Sequence, residues 1–535
     1  MSADLILVGG HVVTGDPERP TASAVAIRHG RIAAVGTDDE ALAQRASGVE
    51  VVDLRGRTAV PAFNDAHCHP MGVGFAATEV DVGPGTVESV ARIADRVRER
   101  AATLQPGEWV LASGYDDARL AERRHPTRRD LDAVAPENPV FVNRACHHIG
   151  VANSRALAAA GITASTPDPE GGRIDRDARG EPTGVLRESA KDLLQSALPA
   201  PTEDEIVAAL SRAAGIYHSV GVTSVAEAGV RRPEELSAYQ RVRDGGGPRL
   251  RAYLMVIISA LLERFAETGI RTGFGDEWLR LGPAKLFLDG SVGARTSRMH
   301  EPYLASGEDP QNLGLWMQEP EAMRAGLLRA HALGWQVCAH AIGDAAVDFL
   351  LDCYAAARQA HPRPDTRHRI EHCEFLSGPQ TLDRIAALGA VPVPGTTFIR
   401  EFLPLYLQNL GEKRLRYANA LRSFADRGIV AAASSDAPVV TVDPLAGIQT
   451  MLTRRDVAGT AASPEEAITF EAAVRAYTWA GAYASFEEGI KGSLIPGKVG
   501  DLAVLGADAR TVEPDSISEI GVELTMMDGQ VVHAS

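Results

Sequence analysis

The stretch NDAHCHP, residues 64–70, follows a short apolar run and contains two histidines separated by one residue. Residues 59–66 have the pattern of a buried strand, and a strand turns alternate side chains to the same face. His67 and His69 therefore project together from the strand end, while Cys68 points the other way. A His-X-His pair is the tightest way for one strand to offer two imidazoles to one metal ion.

Four more polar residues stand where apolar, strand-like runs end and loops begin. They are Lys285 in PAKLFLDGS, His340 in QVCAHAIGD, His372 in RIEHCEF and Asp436 in AAASSDAP. Imidazole nitrogens and carboxylate oxygens suit zinc, with manganese or iron as alternatives. Zinc lowers the pKa of bound water from about 15.7 to about 7 and polarises a substrate carbonyl. The set predicts a metal-assisted hydrolase in which Asp436 is the general base.

Two members of this set also have simpler interpretations. A lysine at a strand end commonly pairs with a carboxylate, and Asp289 lies four residues after Lys285. Asp436, in SSDAP, has the residue type and the nearby proline of a helix N-cap or a turn. Both alternatives stay open for the single residues, whereas the joint placement of all six favours a metal site.

Strand-like and helix-like segments alternate through the interior of the chain, as βαβ units require. The predicted strands are 59–66, 221–227, 250–257, 283–288, 335–341, 368–374, 390–397 and 428–434. Eight such units fit a (β/α)8 TIM barrel, an α/β fold whose active site lies at the carboxyl ends of the strands. Because about 150 residues separate the first two strands, we expect an insertion at about residues 71–215.

The two ends of the chain share a different pattern. Residues 4–15, 24–36 and 50–60 are short β-rich runs with glycine or charged turns, and residues 491–508 and 523–535 repeat that style. We therefore predict a small β-sandwich built from residues 1–60 and 485–535. The metal-dependent hydrolase barrel is expected at residues 61–484.

Composition narrows the class of partner. The 54 basic and 70 acidic residues give a net charge of −16, which argues against nucleic acid and anionic membranes. The longest apolar stretch, near residues 252–262, is too short to span a bilayer. The first residues lack a signal-peptide pattern, so we expect a cytoplasmic protein. Five cysteines without CxxC spacing make a disulfide framework improbable.

With these residues in place, the chain resembles the amidohydrolase superfamily, and within it the YtcJ-like group, amidohydrolase family 3, which includes N-substituted formamide deformylases. The resemblance runs nearly end to end and includes DAHCHP, KLFLDGSVGART, HAIGD, RIEHCEF and SSDAP. It implies a β-sandwich plus a metal-bearing barrel that hydrolyses amide-type C–N bonds. It further implies one or two divalent ions and a carboxylated lysine that bridges them. The residues that the resemblance assigns to the metal are His67, His69, Lys285, His340, His372 and Asp436, the last also serving as base.

The substrate is a small molecule whose identity the sequence leaves open. His147 and His148, within the insertion, are candidates for capping the active-site mouth, and a solvated or structural pair is an equal alternative. Arg295 and Tyr115 are candidates for substrate contact, although local turn or ion-pair roles suit them better.

Other outcomes compete with amide hydrolysis. The same metal site could serve decarboxylation, deamination or lactone opening, because barrel loops and not the fold select the reaction. A scaffold protein that keeps the fold without catalysis is a further alternative. The oligomeric state is also open, with a homodimer as one candidate.

Overall fold

A computed structural model describes residues 4–83, 85–117, 119–144, 149–169, 172–304 and 310–535. The chain divides into two compact units, Met1–Gly74 with Glu203–Ser535, and Phe75–Thr202. The insertion expected at about 71–215 extends beyond the second unit at both ends, and its limits stay a prediction. The domain limits expected at residues 60 and 484 lie within the first unit and stay a prediction.

The first unit contains a seven-stranded parallel sheet that runs in chain order around a nearly closed barrel. Its strands are β1 (Phe63–Cys68), β2 (Val222–Val230), β3 (Arg251–Ile257), β4 (Leu279–Phe287), β5 (Val337–Ala341), β6 (Arg369–His372) and β7 (Val391–Val393). Every residue of β1, β2 and β3 is buried. Parallel strands covered on both faces read as nearly continuous apolar runs, which is why β2 and β3 were recognisable in the sequence.

The eighth predicted strand, residues 428–434, is not a regular strand. Ala432 and Ser434 donate backbone hydrogen bonds to the carbonyls of Pro392 and Pro394. On the other side, the N–H of Ala66 in β1 donates to the carbonyl of Ala433. The segment thus lies between β7 and β1 and completes the barrel. Because Pro392 and Pro394 have no N–H to donate, the backbone donation from the β7 side comes only after them, from Thr396 to the carbonyl of Ser434.

Helices follow the barrel strands and cover the sheet. They are Pro70–Ala76, Glu203–Ser219, Pro233–Asp244, Ile258–Thr268, Pro320–Ala332, Asp344–Ala360, Pro379–Leu388, Phe398–Leu410, Leu421–Asp426, Pro444–Thr453, Phe470–Ala476 and Trp479–Ala484. Short 3₁₀ turns occur at Glu412–Leu415, Pro464–Glu466, Ala509–Thr511 and Pro514–Glu519. The expected α/β barrel is therefore confirmed.

Strands from both chain ends form two further sheets of the first unit. One sheet, in spatial order, contains Arg31–Gly36, Ala24–Arg28, Leu5–Val8 and Glu50–Asp53, and the short helix Asp38–Leu42 packs on it. The other contains Gln530–Ala534, Val522–Met527, Leu502–Leu505, Thr58–Pro61, His11–Val13 and Thr21–Ala22. Leu5 and Val25 of one sheet share a core with Val12 and Leu502 of the other, as the predicted sandwich requires.

The second unit has a mixed sheet of its own. In spatial order it contains Gly172–Arg176, Pro182–Glu188, Ile149–Ala152, Val140–Arg144, Val110–Tyr115 and Val80–Asp81. Its helices are Val90–Ala101, Arg128–Asp132, Ser154–Ala159 and Ala190–Gln195.

Two predictions from the sequence concern membrane-spanning segments and disulfides. Among the helices of the described segments, none combines the length and the apolar character needed to cross a membrane. Cys68, Cys338, Cys353 and Cys373, the cysteines within the described segments, are buried free thiols.

Candidate metal centre

The six residues of the predicted site lie at the carboxyl ends of the barrel strands. Parallel pairing places Ala341, the neighbour of His340, opposite His372, so these two imidazoles stand at similar depth. Where the segment 428–434 lies beside β1, the N–H of Asp436 donates to the carbonyl of His67 at 2.8 Å. The strand register therefore gathers residues that are far apart in the sequence at one end of the barrel.

His67, His69 and Asp436 form the tightest group of candidate ligands. One carboxylate oxygen of Asp436 lies 3.4 Å from Nε2 of His67 and 3.3 Å from Nε2 of His69. The three ligand atoms lie within 4.8 Å of one another, close enough to hold one ion. Burial lowers the pKa of His69, but contacts with Asp436 and Glu227 outweigh burial and raise that pKa to about 9. A positive charge is therefore favoured where these atoms meet.

Two buried carboxylates behind the His-X-His pair were missed by the sequence analysis. Glu371 Oε2 lies 2.5 Å from Nδ1 of His67, and Glu227 Oε1 lies 3.5 Å from Nδ1 of His69. Both glutamates are about 1% exposed or less. Their signal in the sequence is a charged residue inside an otherwise buried strand, which is costly unless the charge is paired.

His340 and His372 bring two more imidazoles to the same place. The ring centroid of His372 lies 4.7 Å from that of His67 and 4.4 Å from that of His340. Nε2 of His340 donates to the carbonyl of Gly290 at 3.0 Å, which leaves its Nδ1 as the ligand atom. Burial, and then the charge of Lys285, lower the pKa of His340 to about 4, so this imidazole is neutral. Neutral imidazole is the metal-binding form.

Lys285 does not pair with Asp289. The carboxylate of Asp289 instead accepts backbone N–H groups of Arg298, Ile342 and Gly343. Lys285 is fully buried, and its Nζ has no hydrogen-bond partner in the described part of the chain. Burial lowers the pKa of this amine, which favours the neutral, nucleophilic form.

Asp436 does not cap a helix. The next helix, Pro444–Thr453, is capped by Asp443, whose side chain accepts from the N–H of Leu445. Burial raises the pKa of Asp436, but the contacts with His67 and His69 outweigh burial and hold it well below the ordinary value. Asp436 is therefore ionised and faces the histidine pair.

Tyr115 and Arg295, the substrate-contact candidates within the described residues, each bind a side chain other than the six residues of the predicted site. Tyr115 lies in the second unit, where its side chain is fully buried and its hydroxyl lies 3.1 Å from Nδ1 of His125. Arg295 donates to the side chain of Asn409 at 2.9 Å. His147 and His148 lie outside the described residues. Substrate contact by any of these four residues stays a prediction.

An aromatic row borders the imidazoles on one side. The ring of Phe398 stacks on His372 with centroids 5.9 Å apart and an interplanar angle of 16°. Phe402 and Tyr406 continue the row at four-residue intervals along the helix Phe398–Leu410, with centroid distances of 5.4 and 6.2 Å. This wall was not recognised in the sequence, although its i, i+4 spacing is visible in FIREFLPLY.

The comparison with protein families identifies the family of this chain. The family described as "Amidohydrolase family" matches residues 50–533. The chain belongs to this family. YtcJ of Bacillus subtilis is 30% identical over 98% of both chains. An "N-substituted formamide deformylase" of Arthrobacter pascens is 31% identical, over 98% of this chain and 97% of that one.

A solved structure supports the same assignment. An uncharacterized metal-dependent hydrolase of Pyrococcus furiosus is 27% identical and superposes with a TM-score of 0.76, over 96% of this chain and 99% of that one. The resemblance inferred from the sequence is thus confirmed at the level of the family. The barrel with its additional terminal sheets is confirmed at the level of the fold.

Proposed function

We propose that the protein is a zinc-dependent amidohydrolase that cleaves a C–N bond of a small-molecule amide or formamide. The observation that carries this proposal is the convergence of two imidazole nitrogens and one carboxylate oxygen, from His67, His69 and Asp436, within 4.8 Å. The buried carboxylate beside two imidazole nitrogens favours a positive charge where these atoms meet, and a divalent cation supplies that charge. Nitrogen and oxygen donors suit zinc, and manganese or iron are the alternatives.

The remaining donors fit one or two divalent ions. His340 and His372 supply further imidazoles next to the first group, with rings less than 5 Å apart. We infer that Lys285 is carboxylated, because a buried amine without a hydrogen-bond partner in the described part of the chain is poorly placed as an ammonium group. Its nitrogen would attack carbon dioxide, lose one proton and become a carbamate with two ligand oxygens.

The roles of the protein groups follow from their positions. A bound zinc ion supplies Lewis-acid polarisation of a carbonyl and increased acidity of water. Asp436, ionised and facing the same point, is placed to accept the proton of the attacking water and return it to the leaving nitrogen. One carboxylate oxygen of Asp436 lies 3.4 Å from Nε2 of His67 and 3.3 Å from Nε2 of His69, so the three groups face the same point.

Formamides are the first substrate class to test. One relative is named an N-substituted formamide deformylase. The aromatic row that begins at Phe398 supplies an apolar surface beside His372, which suits an apolar substituent on the substrate nitrogen.

The test is a hydrolysis assay on N-formyl, N-acyl and carbamate compounds, with the released acid and amine both quantified. We expect acid release that stops on chelation and returns on addition of zinc. Asp436→Asn should lose activity, whereas Asp443→Asn should keep it, because asparagine also caps helices well. Full activity of the metal-free enzyme, or of Asp436→Asn, would contradict the proposal.

A further inference from the structure

Glu371 is held rigidly behind His67. Its two carboxylate oxygens accept a bidentate pair of hydrogen bonds from Arg369, at 2.8 and 2.9 Å. The same arginine also binds the carbonyl of Ala66 in β1. Arg369 and Glu371 are two residues apart on β6, so their side chains project to the same face, toward the barrel interior. Each is about 1% exposed or less. An anion in this fork stays ionised, because the paired guanidinium is permanently charged.

This carboxylate determines which nitrogen of His67 carries the proton. An ionised carboxylate can only accept, so the 2.5 Å contact with Glu371 requires a hydrogen on Nδ1 of His67. In the neutral ring the lone pair is then on Nε2, the atom that faces Asp436 at 3.4 Å. Without the carboxylate, the opposite tautomer would point an N–H at the position of the metal.

A second carboxylate has the same relation to His69. Parallel pairing of β1 and β2 places Glu227 opposite Cys68, the residue between the two histidines. Glu227 Oε2 accepts from the hydroxyl of Tyr239 at 2.7 Å and from the N–H of Met71 at 3.3 Å. Its other oxygen faces Nδ1 of His69 at 3.5 Å. This contact is longer than the one behind His67, and the His69 side chain is 35% exposed.

We propose that Glu371 and Glu227 are positioning residues that keep the hydrogen of His67 and His69 on Nδ1, so that both Nε2 lone pairs face the metal ion. The inference rests on the metal site proposed above. It also predicts that Glu371 has a larger effect on zinc affinity than Glu227, because the contact of Glu371 with its histidine is shorter and more deeply buried. Carboxylates behind metal-bound histidines typically contribute 10- to 100-fold to metal affinity.

The experiment measures zinc affinity of the full-length protein after chelation, by competition with a zinc-binding dye. The variants are Glu371→Gln and Glu227→Gln, since glutamine keeps the size but can present an N–H to the ring. Glu466→Gln is the matched control. Glu466 is 1% exposed, and it binds Ser423 and Arg416 instead of a ligand histidine.

We expect Glu371→Gln to weaken zinc binding by about 10- to 100-fold and Glu227→Gln by less, with Glu466→Gln unchanged. Cobalt-loaded Glu371→Gln should also show a shifted visible absorption band, because the ligand field changes. If Glu371→Gln fails to fold with Arg369 unpaired, the double variant Arg369→Gln/Glu371→Gln removes both charges and carries the same expectation.

Two results would overturn the inference, and they can be told apart. Wild-type zinc affinity and an unchanged cobalt spectrum in folded Glu371→Gln and Glu227→Gln would remove the positioning role and leave the proposed hydrolase intact. A wild-type protein that binds less than half an equivalent of zinc would overturn the proposed metal site and this inference together.

Discussion

Replacement of Lys285 by methionine should stabilise the metal-free protein. The Nζ group of Lys285 is fully buried without a hydrogen-bond partner in the described part of the chain, and burial favours its neutral form. A buried polar group without a hydrogen bond costs about 1–3 kcal/mol. Methionine has a similar length and no polar atom, so Lys285→Met should increase the free energy of unfolding by about that amount. For a chain of 535 residues this corresponds to about 1 °C per kcal/mol in the unfolding midpoint.

When metal is bound, Lys285→Met should be less stable than the wild type. Wild-type protein saturated with zinc and bicarbonate should gain the binding free energy of the ion, whereas Lys285→Met lacks the proposed bridging ligand and should gain less. The assay is thermal unfolding of both proteins, first after chelation and then after loading. We expect the variant to be the more stable protein without metal and the less stable one with metal.

Lys491 provides the matched control. It is also a buried lysine, but its Nζ lies 3.0 Å from the carboxylate of Glu487, with both side chains about 5% exposed or less. Lys491→Met should destabilise the protein by about 3–5 kcal/mol, because it leaves a buried carboxylate unpaired. If Lys285→Met destabilises the metal-free protein as Lys491→Met does, Lys285 has an ordinary structural partner and the reasoning is refuted.

Three further outcomes are expected. Asp436→Asn should lower kcat by about 10²- to 10⁴-fold, the range of a lost general base, while metal analysis still finds the ion; unchanged kcat would argue against this role. His331 and His368 share a ring-to-ring hydrogen bond of 2.8 Å, and both outer nitrogens already bind backbone groups, so neither ring has room for a second proton. Burial lowers both pKa values, so the stability from the pair is complete above pH of about 6.5 and is lost as the pH falls, at up to about 1.4 kcal/mol per pH unit for each proton. Between pH 7.5 and 5.5, urea unfolding should show a smaller loss of stability in His368→Gln than in the wild type. An equal loss in the two proteins would contradict this prediction. Asp501→Asn should cost about 3–5 kcal/mol in urea unfolding, because it leaves the fully buried Arg251 without its 2.7 Å partner; a cost below about 1 kcal/mol would show that this ion pair contributes little.

The residues of the proposed metal site could be selected from the sequence because most of them carry a local signal. A histidine, lysine or aspartate directly after an apolar run is visible without knowledge of any distant contact, as with His340. The barrel rule then places all such strand ends at one face. The same logic recovered seven of the strands, since parallel barrel strands are apolar on both faces.

The residues behind the ligands were not predictable in this way. Glu371 acts on His67 across 304 positions of sequence, and only the closed barrel brings them together. Residues 428–434 are irregular because their side chains are short and prolines lie opposite them. Both features are visible in the sequence, but their effect depends on which strand lies next to this segment. Tyr115 looked like a loop residue, yet it is a core residue of the second unit because its strand is one of the middle strands of a separate sheet.

Anomalous X-ray diffraction at the zinc edge, from crystals saturated with zinc, is the most direct test of a metal centre in this barrel. We expect an anomalous peak about 2.0–2.2 Å from Nε2 of His67, Nε2 of His69 and a carboxylate oxygen of Asp436. A saturated crystal without a peak between these three groups, or with its zinc bound only elsewhere, would contradict the metal-dependent mechanism.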